Sequence, residues 1–415
     1  MNTAPTADSR APWPTDDRTR VPYWIYTDHE IYEKELNNIY LGPVWNYLGL
    51  EAEIPEAGDF KTTFVGEMPV VVSRETDGTI HSFENRCSHR GALLCLKNKG
   101  KATDFTCVYH AWRHDLKGNL LSVAFRRGVN GKGGMPDDFD LKCHGPRKLR
   151  VATFCGLIFG TVSPDTPPLE EYLGEEISAR IKRVLHKPVR IYGEYTQVLP
   201  NNWKLYFENV KDTYHSSLLH TFFATFKVSR LSQGGGVIVH DGGGHHVSYS
   251  LAHKGGKDEA FDNEGLRANQ EEQFRLNDKS VLDIVDEFGD GCHVQILSVF
   301  PGFVLQAIHN SLAIRQILPR GTTQTDLVWT LIGFTDDDER LQSLRMKHAN
   351  LIGPAGYVSM EDGAVGGFVQ RGVAATREES SIMQMGGAST ESSETRATEA
   401  SIRGFWKAYT RYMEL

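Results

Sequence analysis

The stretch "RCSHRGALLCLKNKGKATDFTCVYHAW", residues 86–112, governs the reading of the whole chain. It carries two short clusters, Cys87-x-His89 and Cys107-x-x-His110, with seventeen residues between them. Two thiolates and two imidazoles brought together from such clusters make a pocket of the right size for a metal. The spacing alone does not say which one.

A structural zinc takes four tetrahedral nitrogen or sulfur ligands, and these four residues supply them. A [2Fe–2S] cluster of the Rieske kind uses the same set, with two thiolates on one iron and two imidazoles on the other. Each cluster here pairs one Cys with one His, on loops of a β-rich module rather than in a small ββα finger. That favours iron and sulfide, though on these residues alone zinc stays open. Cys95 lies between the loops and reads as a small buried hydrophobe; His81 and His114 read as surface or packing residues. Six cysteines in 415 residues are too few for a disulfide scaffold, so a reducing, cytoplasmic setting is expected.

Outward from this stretch, residues 40–162 are short β-like runs broken by turns. "MPVVVSR" and "TIHSFEN" flank the turn "ETDG", a hairpin signal, and "CGLIFGTV" (155–162) reads as a buried strand. The Gly-rich "RGVNGKGGMP" (127–136) reads as a loop inside this module. "SPDTPPLEEYLG" (163–174), with three prolines, marks a boundary. Helical spacing follows over 169–185 and 199–223, then a hairpin around Asp241-Gly242-Gly243-Gly244 and strands over 293–319 and 325–334 without long helical crossovers. Ile402, Phe405, Trp406, Tyr409 and Met413 recur at three-to-four spacing and predict an amphipathic helix over 395–413. The expected class is α+β: an N-terminal segment 1–40, a small β module 41–165, and a larger domain 166–415 built on an antiparallel sheet.

The net charge of −8 excludes nucleic acid as a general partner, since phosphate binding needs a basic face. No apolar run approaches the roughly 18 residues of a membrane span, and the first twenty residues lack the apolar stretch of a secretory signal.

A second constellation lies in "ENVKDTYHSSLLH" (208–220), with Asp212, His215 and His220. Asp212 and His215, three apart, share a helix face. His215 and His220 are five apart, and a regular helix at about 100° per residue would not aim both at one ion. A loosened or π-type turn is expected instead. Two histidines and a carboxylate form the facial triad of non-haem Fe(II) oxygenases. "GYVSMEDGAVGGF" (356–368) offers Glu361 and Asp362 ahead of what reads as a Gly-rich turn, and the residues do not choose between the two acids. An electron-transfer cluster beside an oxygen-activating iron is a coherent pair; zinc would have no such use.

Taken together, "CSHRGALLCLKNKGKATDFTCVYHAW", "NNWKLYFENVKDTYHSSLLH" and "SMEDGAVGGFVQRG" resemble the large (alpha) subunit of the Rieske non-haem iron ring-hydroxylating oxygenases. The resemblance runs from about residue 20 to the C-terminus. It implies a Rieske β-sandwich module and a helix-grip (START-like) catalytic domain. It implies that Cys87, His89, Cys107 and His110 hold the [2Fe–2S] cluster, and that His215, His220 and Asp362 hold a mononuclear Fe(II). It gives Asp212 a catalytic role, linking an iron-ligand histidine of one subunit to a cluster histidine of the next. It implies electrons from a separate reductase or ferredoxin, and an α3 or, with a small β subunit, α3β3 assembly. The similarity is strongest to the branch acting on aromatic carboxylates. The expected reaction is cis-dihydroxylation with O2, terephthalate being the first expectation and anthranilate, 2-halobenzoate or salicylate the alternatives. A monooxygenase on the same scaffold, or a zinc-stabilised binding module, are the competing readings.

An aromatic carboxylate needs a cation in an apolar pocket, and arginine forms bidentate pairs with carboxylates. Strand alternation puts Arg315 on one face with the small Ser311 and Ala313. Arg396 is placed near the start of the last helix, where the macrodipole disfavours a cation unless an anion is near. Glu391, Glu394 and Glu399 make a plain salt bridge an equal explanation for Arg396. Arg86, Arg90, Lys97, Lys99, Lys101, Arg113, Lys117, Arg126 and Arg127 crowd the first metal motif and offer a docking face for an acidic electron donor.

Overall fold

The short runs between residues 46 and 161 assemble into one antiparallel sheet. Its strands are β1 (Asn46–Leu50), β2 (Asp59–Val65), β3 (Met68–Arg74), β4 (Ile80–Glu84), β5 (Lys99–Lys101), β6 (Lys148–Phe154) and β7 (Leu157–Thr161), in the order β1-β7-β6-β4-β3-β2-β5. Gly78, at φ 85, closes the expected turn between β3 and β4, a conformation that a Cβ would strain. A three-stranded sheet of Phe105–Thr106, Arg113–His114 and Leu120–Ser122 carries the second metal loop. Phe60, Phe83, Phe105 and Trp112 form the core on which Cys87 and Cys107 sit.

The computed structural model describes Trp13 and residues 17–252, 259–265 and 275–415. The chain forms two units, Leu36–Tyr172 and, separately, Met1–Glu35 with Leu173–Leu415. The smaller unit therefore runs beyond the expected 41–165 at both ends, for a local reason at each. Gly66 lies so close to Leu36 and Tyr40 that a Cβ would meet both. At the other end the Trp45 indole donates to the Pro167 carbonyl at 2.9 Å.

The larger unit holds a second antiparallel sheet. It comprises β8 (Val189–Leu199), β9 (Gly235–Val239), β10 (His246–Leu251), β11 (Cys292–Val299), β12 (Phe303–Ile308), β13 (Ser311–Pro319) and β14 (Thr325–Phe334), in the order β8-β14-β13-β12-β11-β10-β9. Strands β9 to β14 pair in chain order, and β8 closes the edge against β14. Every residue of β13 is buried, as expected of a strand covered on both faces.

The longer helices are α1 (Leu169–Val184, kinked at Gly174), α2 (Trp203–Lys211), α3 (Glu339–Ile352), α4 (Tyr357–Ala375) and α5 (Ala400–Met413). Helix α5 begins five residues later than predicted, but its apolar stripe, Ile402, Phe405, Trp406, Tyr409 and Met413, is buried as the pattern required. Each such side chain contributes about 1.5–3 kcal/mol of burial. The N-terminal segment packs on the same unit. Buried Glu35 accepts hydrogen bonds from the Trp203 indole, the Lys204 ammonium and the Tyr409 hydroxyl. Glu208 on α2 accepts from the Tyr26 hydroxyl at 2.8 Å and the Trp406 indole at 2.6 Å, both on Oε1.

Two local expectations fail. The 199–223 segment is not one loosened helix: α2 ends at Lys211, and two short turns, Ser216–Leu219 and Thr221–Thr225, follow. The supposed Gly-rich turn after Asp362 lies inside α4. Its glycines serve close packing, since a Cβ on Gly366 would sit 2.1 Å from the Asn201 side chain and one on Gly367 3.0 Å from Pro200.

Candidate metal centres and the cavity beside them

In the smaller unit Cys87 and Cys107 head two loops of the same build. The Cys87 amide donates to the Ala92 carbonyl and its own carbonyl accepts from Gly91; the Cys107 amide donates to Trp112 and its carbonyl accepts from Ala111. Gly91 (φ 77) and Ala111 (φ 52) both take the left-handed conformation, so each loop folds back four residues after its cysteine. Asn85 braces the first loop, accepting from the Leu94 and Cys95 amides and donating to the Cys95 carbonyl.

This geometry sorts the four side chains into like pairs. Both thiols are buried, and the Cys107 thiol is near enough to act on Cys87. Burial first, and then the neighbouring thiol, push the Cys87 pKa up, so two adjacent thiolates need a cationic partner. The imidazoles lie farther out, His89 exposed and His110 half-buried, with their Nδ1 atoms 3.1 Å apart. His89 stacks on Trp112 at 4.7 Å. A thiol pair inside and an imidazole pair outside fits a two-iron cluster, one pair per iron, better than a single tetrahedral zinc. Cys95 is buried and its thiol contacts the Lys97 carbonyl, so it is not part of the set.

In the larger unit His215, His220 and Asp362 converge, each offering a donor atom within 4.8 Å of the others. Asp362 Oδ1 lies 3.4 Å from His215 Nε2 and 3.3 Å from His220 Nε2. The break after α2 makes this possible. Asp212 caps it, accepting from the Tyr214 amide at 2.8 Å and the His215 amide at 3.3 Å, an Asx turn in place of the π turn expected. Asp212 Oδ2 also lies 3.3 Å from His215 Nδ1, so the two meet through this turn rather than along a helix face.

Each histidine thus points Nε2 inward and Nδ1 at a carboxylate. For His220 that carboxylate is Glu361, at 2.8 Å. Glu361 and Asp362 therefore divide the two tasks between them, and Asp362 is the acid in the metal-ligand group. Asn209, on α2, donates to Asp362 Oδ1 at 3.1 Å. Burial opposes charge on His215, yet Asp212 and Asp362 together push its pKa up to about 10. Burial likewise opposes charge on Asp362, and hydrogen bonds from the two imidazoles hold it well below the usual carboxylate range. The site stores excess negative charge and fits a divalent cation in its centre.

The same three residues border a small cavity, together with Arg315 and Arg396. The room near Arg315 is made by Gln306, Ile308, Val294 and Ile296; Ser311 and Ala313 do not line it. Arg315 is 4 % exposed. It donates from one terminal nitrogen to the Tyr206 hydroxyl at 2.8 Å and lies over Trp329. Its Nε and other terminal nitrogen, the edge that grips a carboxylate, have no partner among the described residues.

Arg396 is also 4 % exposed and sits in the loop ahead of α5, not within the helix. Ser216, Ser229 and Ser250 hydroxyls and the Arg230 carbonyl accept its hydrogen bonds. Among the described residues no carboxylate reaches it, so Glu391, Glu394 and Glu399 do not form the alternative salt bridge. Burial lowers its pKa to about 10. Reading the sequence did not find Asn209, Tyr206, the three serines or the orienting role of Glu361. Asn209, three residues before Asp212, was the one readable signal.

Two family models match the chain: a Rieske [2Fe-2S] domain over residues 44–130, and a ring hydroxylating alpha subunit (catalytic domain) over residues 180–415. Among curated proteins the chain is 58 % identical to the terephthalate 1,2-dioxygenase terminal oxygenase component subunit alpha 2 of Comamonas sp., covering 97 % of both chains. It is 45 % identical to the anthranilate 1,2-dioxygenase large subunit of Burkholderia cepacia, covering 97 % of this chain and 95 % of that one. It is 40 % identical to the large oxygenase component of a salicylate 5-hydroxylase from Ralstonia sp., covering 97 % and 96 %. The fold matches the crystal structure of naphthalene 1,2-dioxygenase from Rhodococcus sp. with a TM-score of 0.78 at 22 % identity, over 95 % of this chain and 94 % of the other.

Proposed function

Since the chain belongs to the ring-hydroxylating alpha-subunit family of Rieske oxygenases, with a [2Fe-2S] domain and a catalytic domain that binds mononuclear iron, we propose that it is the terminal oxygenase that cis-dihydroxylates an aromatic dicarboxylate, terephthalate first. The observation that carries this reading is the pair of buried arginines, Arg315 and Arg396, both without a carboxylate partner among the described residues and both lining the cavity at His215, His220 and Asp362. Two cations in one apolar chamber match a two-ended acid; a monoacid would leave one of them uncompensated.

When bound, the cluster passes single electrons and the iron activates O2. The chain's residues do the rest. Cys87, His89, Cys107 and His110 hold the cluster, and His215, His220 and Asp362 hold the iron. Asp212 and Glu361 fix the two imidazole rings, and Asn209 fixes Asp362. Asp212, 24 % exposed at its side chain, can hold a proton shared with His215 Nδ1 as electrons arrive. Arg315 and Arg396 anchor the carboxylates, while Phe223, Val294, Ile308 and Val358 bracket the ring and exclude water. The electron donor is a separate reductase or ferredoxin, and a small β subunit in an α3β3 assembly, or α3 alone, completes the complex.

The test is turnover of the iron-loaded holoenzyme, with a reductase, on terephthalate, anthranilate, salicylate and 2-chlorobenzoate under labelled O2. Terephthalate should give the highest kcat/KM, with both label atoms in one diol. Preference for a monoacid would move the assignment to the anthranilate or salicylate side of the family, and entry of one label atom would make it a monooxygenase.

A further inference from the structure

The two cavity arginines are not equivalent. Arg315 keeps Nε and one terminal nitrogen without a partner among the described residues, the edge that takes a carboxylate through two parallel bonds. Arg396 has no such edge to offer. One of its terminal nitrogens donates to the Arg230 carbonyl at 2.9 Å and the Ser250 hydroxyl at 3.1 Å. The other donates to the Ser216 hydroxyl at 2.9 Å and the Ser229 hydroxyl at 2.8 Å. Each terminal nitrogen carries two hydrogens, so all four are in use and only the Nε hydrogen is left.

The three serines, in turn, each have one hydrogen of their own to give, because a hydroxyl that accepts from a guanidinium remains a donor. Ser250 gives its hydrogen to the Gln233 side-chain oxygen at 3.4 Å and does not line the cavity. Ser216 lines the cavity but gives its hydrogen to the Thr213 carbonyl at 3.2 Å. Ser229 lines the cavity and is 2 % exposed, and its hydroxyl hydrogen has no acceptor among the described residues. A buried donor left without a partner is costly, and accepting a bond from a cation makes this donor stronger. The backbone on either side is held in place. The Val228 and Ser229 amides donate to the Phe223 carbonyl at 2.8 and 3.4 Å, and Arg230 Nε donates to the Ala224 carbonyl at 2.9 Å.

Resting on the functional reading above, we propose that Ser229 is the specificity-determining group at this end of the cavity. Its hydroxyl donates to the second carboxylate of the aromatic diacid, and Arg396 anchors that carboxylate through Ser229 rather than by a bidentate grip of its own. The two ends of the substrate are then held in different ways. Two parallel bonds from Arg315 set the plane of one carboxylate and answer its charge. The single O–H at the other end requires an acceptor atom, with the charge of Arg396 one bond further back. An uncharged carbonyl oxygen meets that requirement too, so the half-amide of the diacid should bind better than the plain monoacid. The monoacid carries only hydrogen at that position and leaves the Ser229 hydroxyl unpaired.

The test compares the wild type with Ser229→Ala and Ser229→Cys as iron-loaded holoenzymes. Binding of terephthalate, 4-carbamoylbenzoate and benzoate is measured by anaerobic calorimetry, and turnover is measured on terephthalate. The wild type should bind the three in that order, terephthalate tightest. Ser229→Ala should weaken terephthalate and 4-carbamoylbenzoate about 10-fold and leave benzoate within about two-fold of the wild type. Its KM for terephthalate should rise while kcat and iron content hold. Ser229→Cys, a weaker donor of similar size, should fall between the two.

An unchanged preference for the two acceptor-bearing ligands over benzoate in Ser229→Ala would overturn the proposal. So would equal losses for all three ligands, which would mean that Ser229 only holds Arg396 and its neighbours in place. A loss confined to terephthalate would overturn it as well, since the charge of Arg396 would then be the contact. Should Ser229→Ala lose its iron, Ser229→Cys and the wild-type ranking decide; a wild type that binds 4-carbamoylbenzoate no better than benzoate is sufficient to reject the hydroxyl contact. If the wild type binds none of the three, or favours benzoate, it is the reading as a diacid oxygenase that has failed.

Discussion

At the scale of single residues, the group proposed to bind iron is built from side chains that do two things at once. His220 turns one nitrogen towards His215 and Asp362 and the other to Glu361, so ring orientation and basicity are set by a residue outside the candidate ligand group. Glu361→Ala should weaken iron binding by roughly 10–100-fold, measured by chelator competition, while the visible spectrum of the cluster is unchanged; undiminished affinity would remove Glu361 from this role. Asp362→Ala should lose the mononuclear iron and keep two irons and two sulfides per chain by elemental analysis. Arg315→Ala should raise KM for an aromatic diacid far more than it lowers kcat, because the free edge of its guanidinium holds substrate rather than the reacting oxygen. The choice between Glu361 and Asp362 was not legible from residue types, since both are acids. It becomes legible once the segment is a helix. Neighbours then differ by about 100° in direction, so one acid faces the centre and the other the back of His220.

At the scale of elements, the decisive contacts are close approaches and breaks. Helix α4 can carry Asp362 to the site because its glycine face lies against Asn201 and Pro200. Gly366→Leu should cost about 1–3 kcal/mol in overpacking and release iron as well, read by thermal denaturation and metal content together. Glu208 ties α2 to the N-terminal segment and α5. Burial pushes its pKa up to about 8, well above its ordinary 4.5. An unfolded chain ionises this group from about pH 4.5 and the folded one not until about 8, so its contribution to stability falls as pH rises through that window. Glu208→Gln should flatten this part of the pH dependence in urea denaturation, and an unchanged slope would show that Glu208 is already ionised in the fold. Strands and hairpins were readable because alternation and turn residues are local. The break after α2 was not, because the Asx turn at Asp212 looks helical in its apolar spacing. The 363–367 turn was misread for the converse reason: glycines that signal turns in isolation also permit tight helix packing.

At the scale of the molecule, the residues of both candidate metal sets were readable in the sequence, as were the antiparallel sheets, while the cavities, which draw on five or more distant segments, were not. No helix among the described residues is long and apolar enough to cross a membrane. Arg90, Lys97, Lys99 and Lys101 are exposed around the cluster loops, so reduction by an acidic electron carrier should slow as ionic strength rises; a rate indifferent to salt would argue for a different docking face. The chain order of the two units has a consequence of its own. Residues 36–172 interrupt the larger unit at a single point, so the four candidate cluster residues are encoded in one uninterrupted stretch. A change of residue within that stretch therefore leaves the coding of His215, His220 and Asp362 untouched. The residues for holding a redox cluster and the residues for holding a ring are thus written in separate parts of the chain.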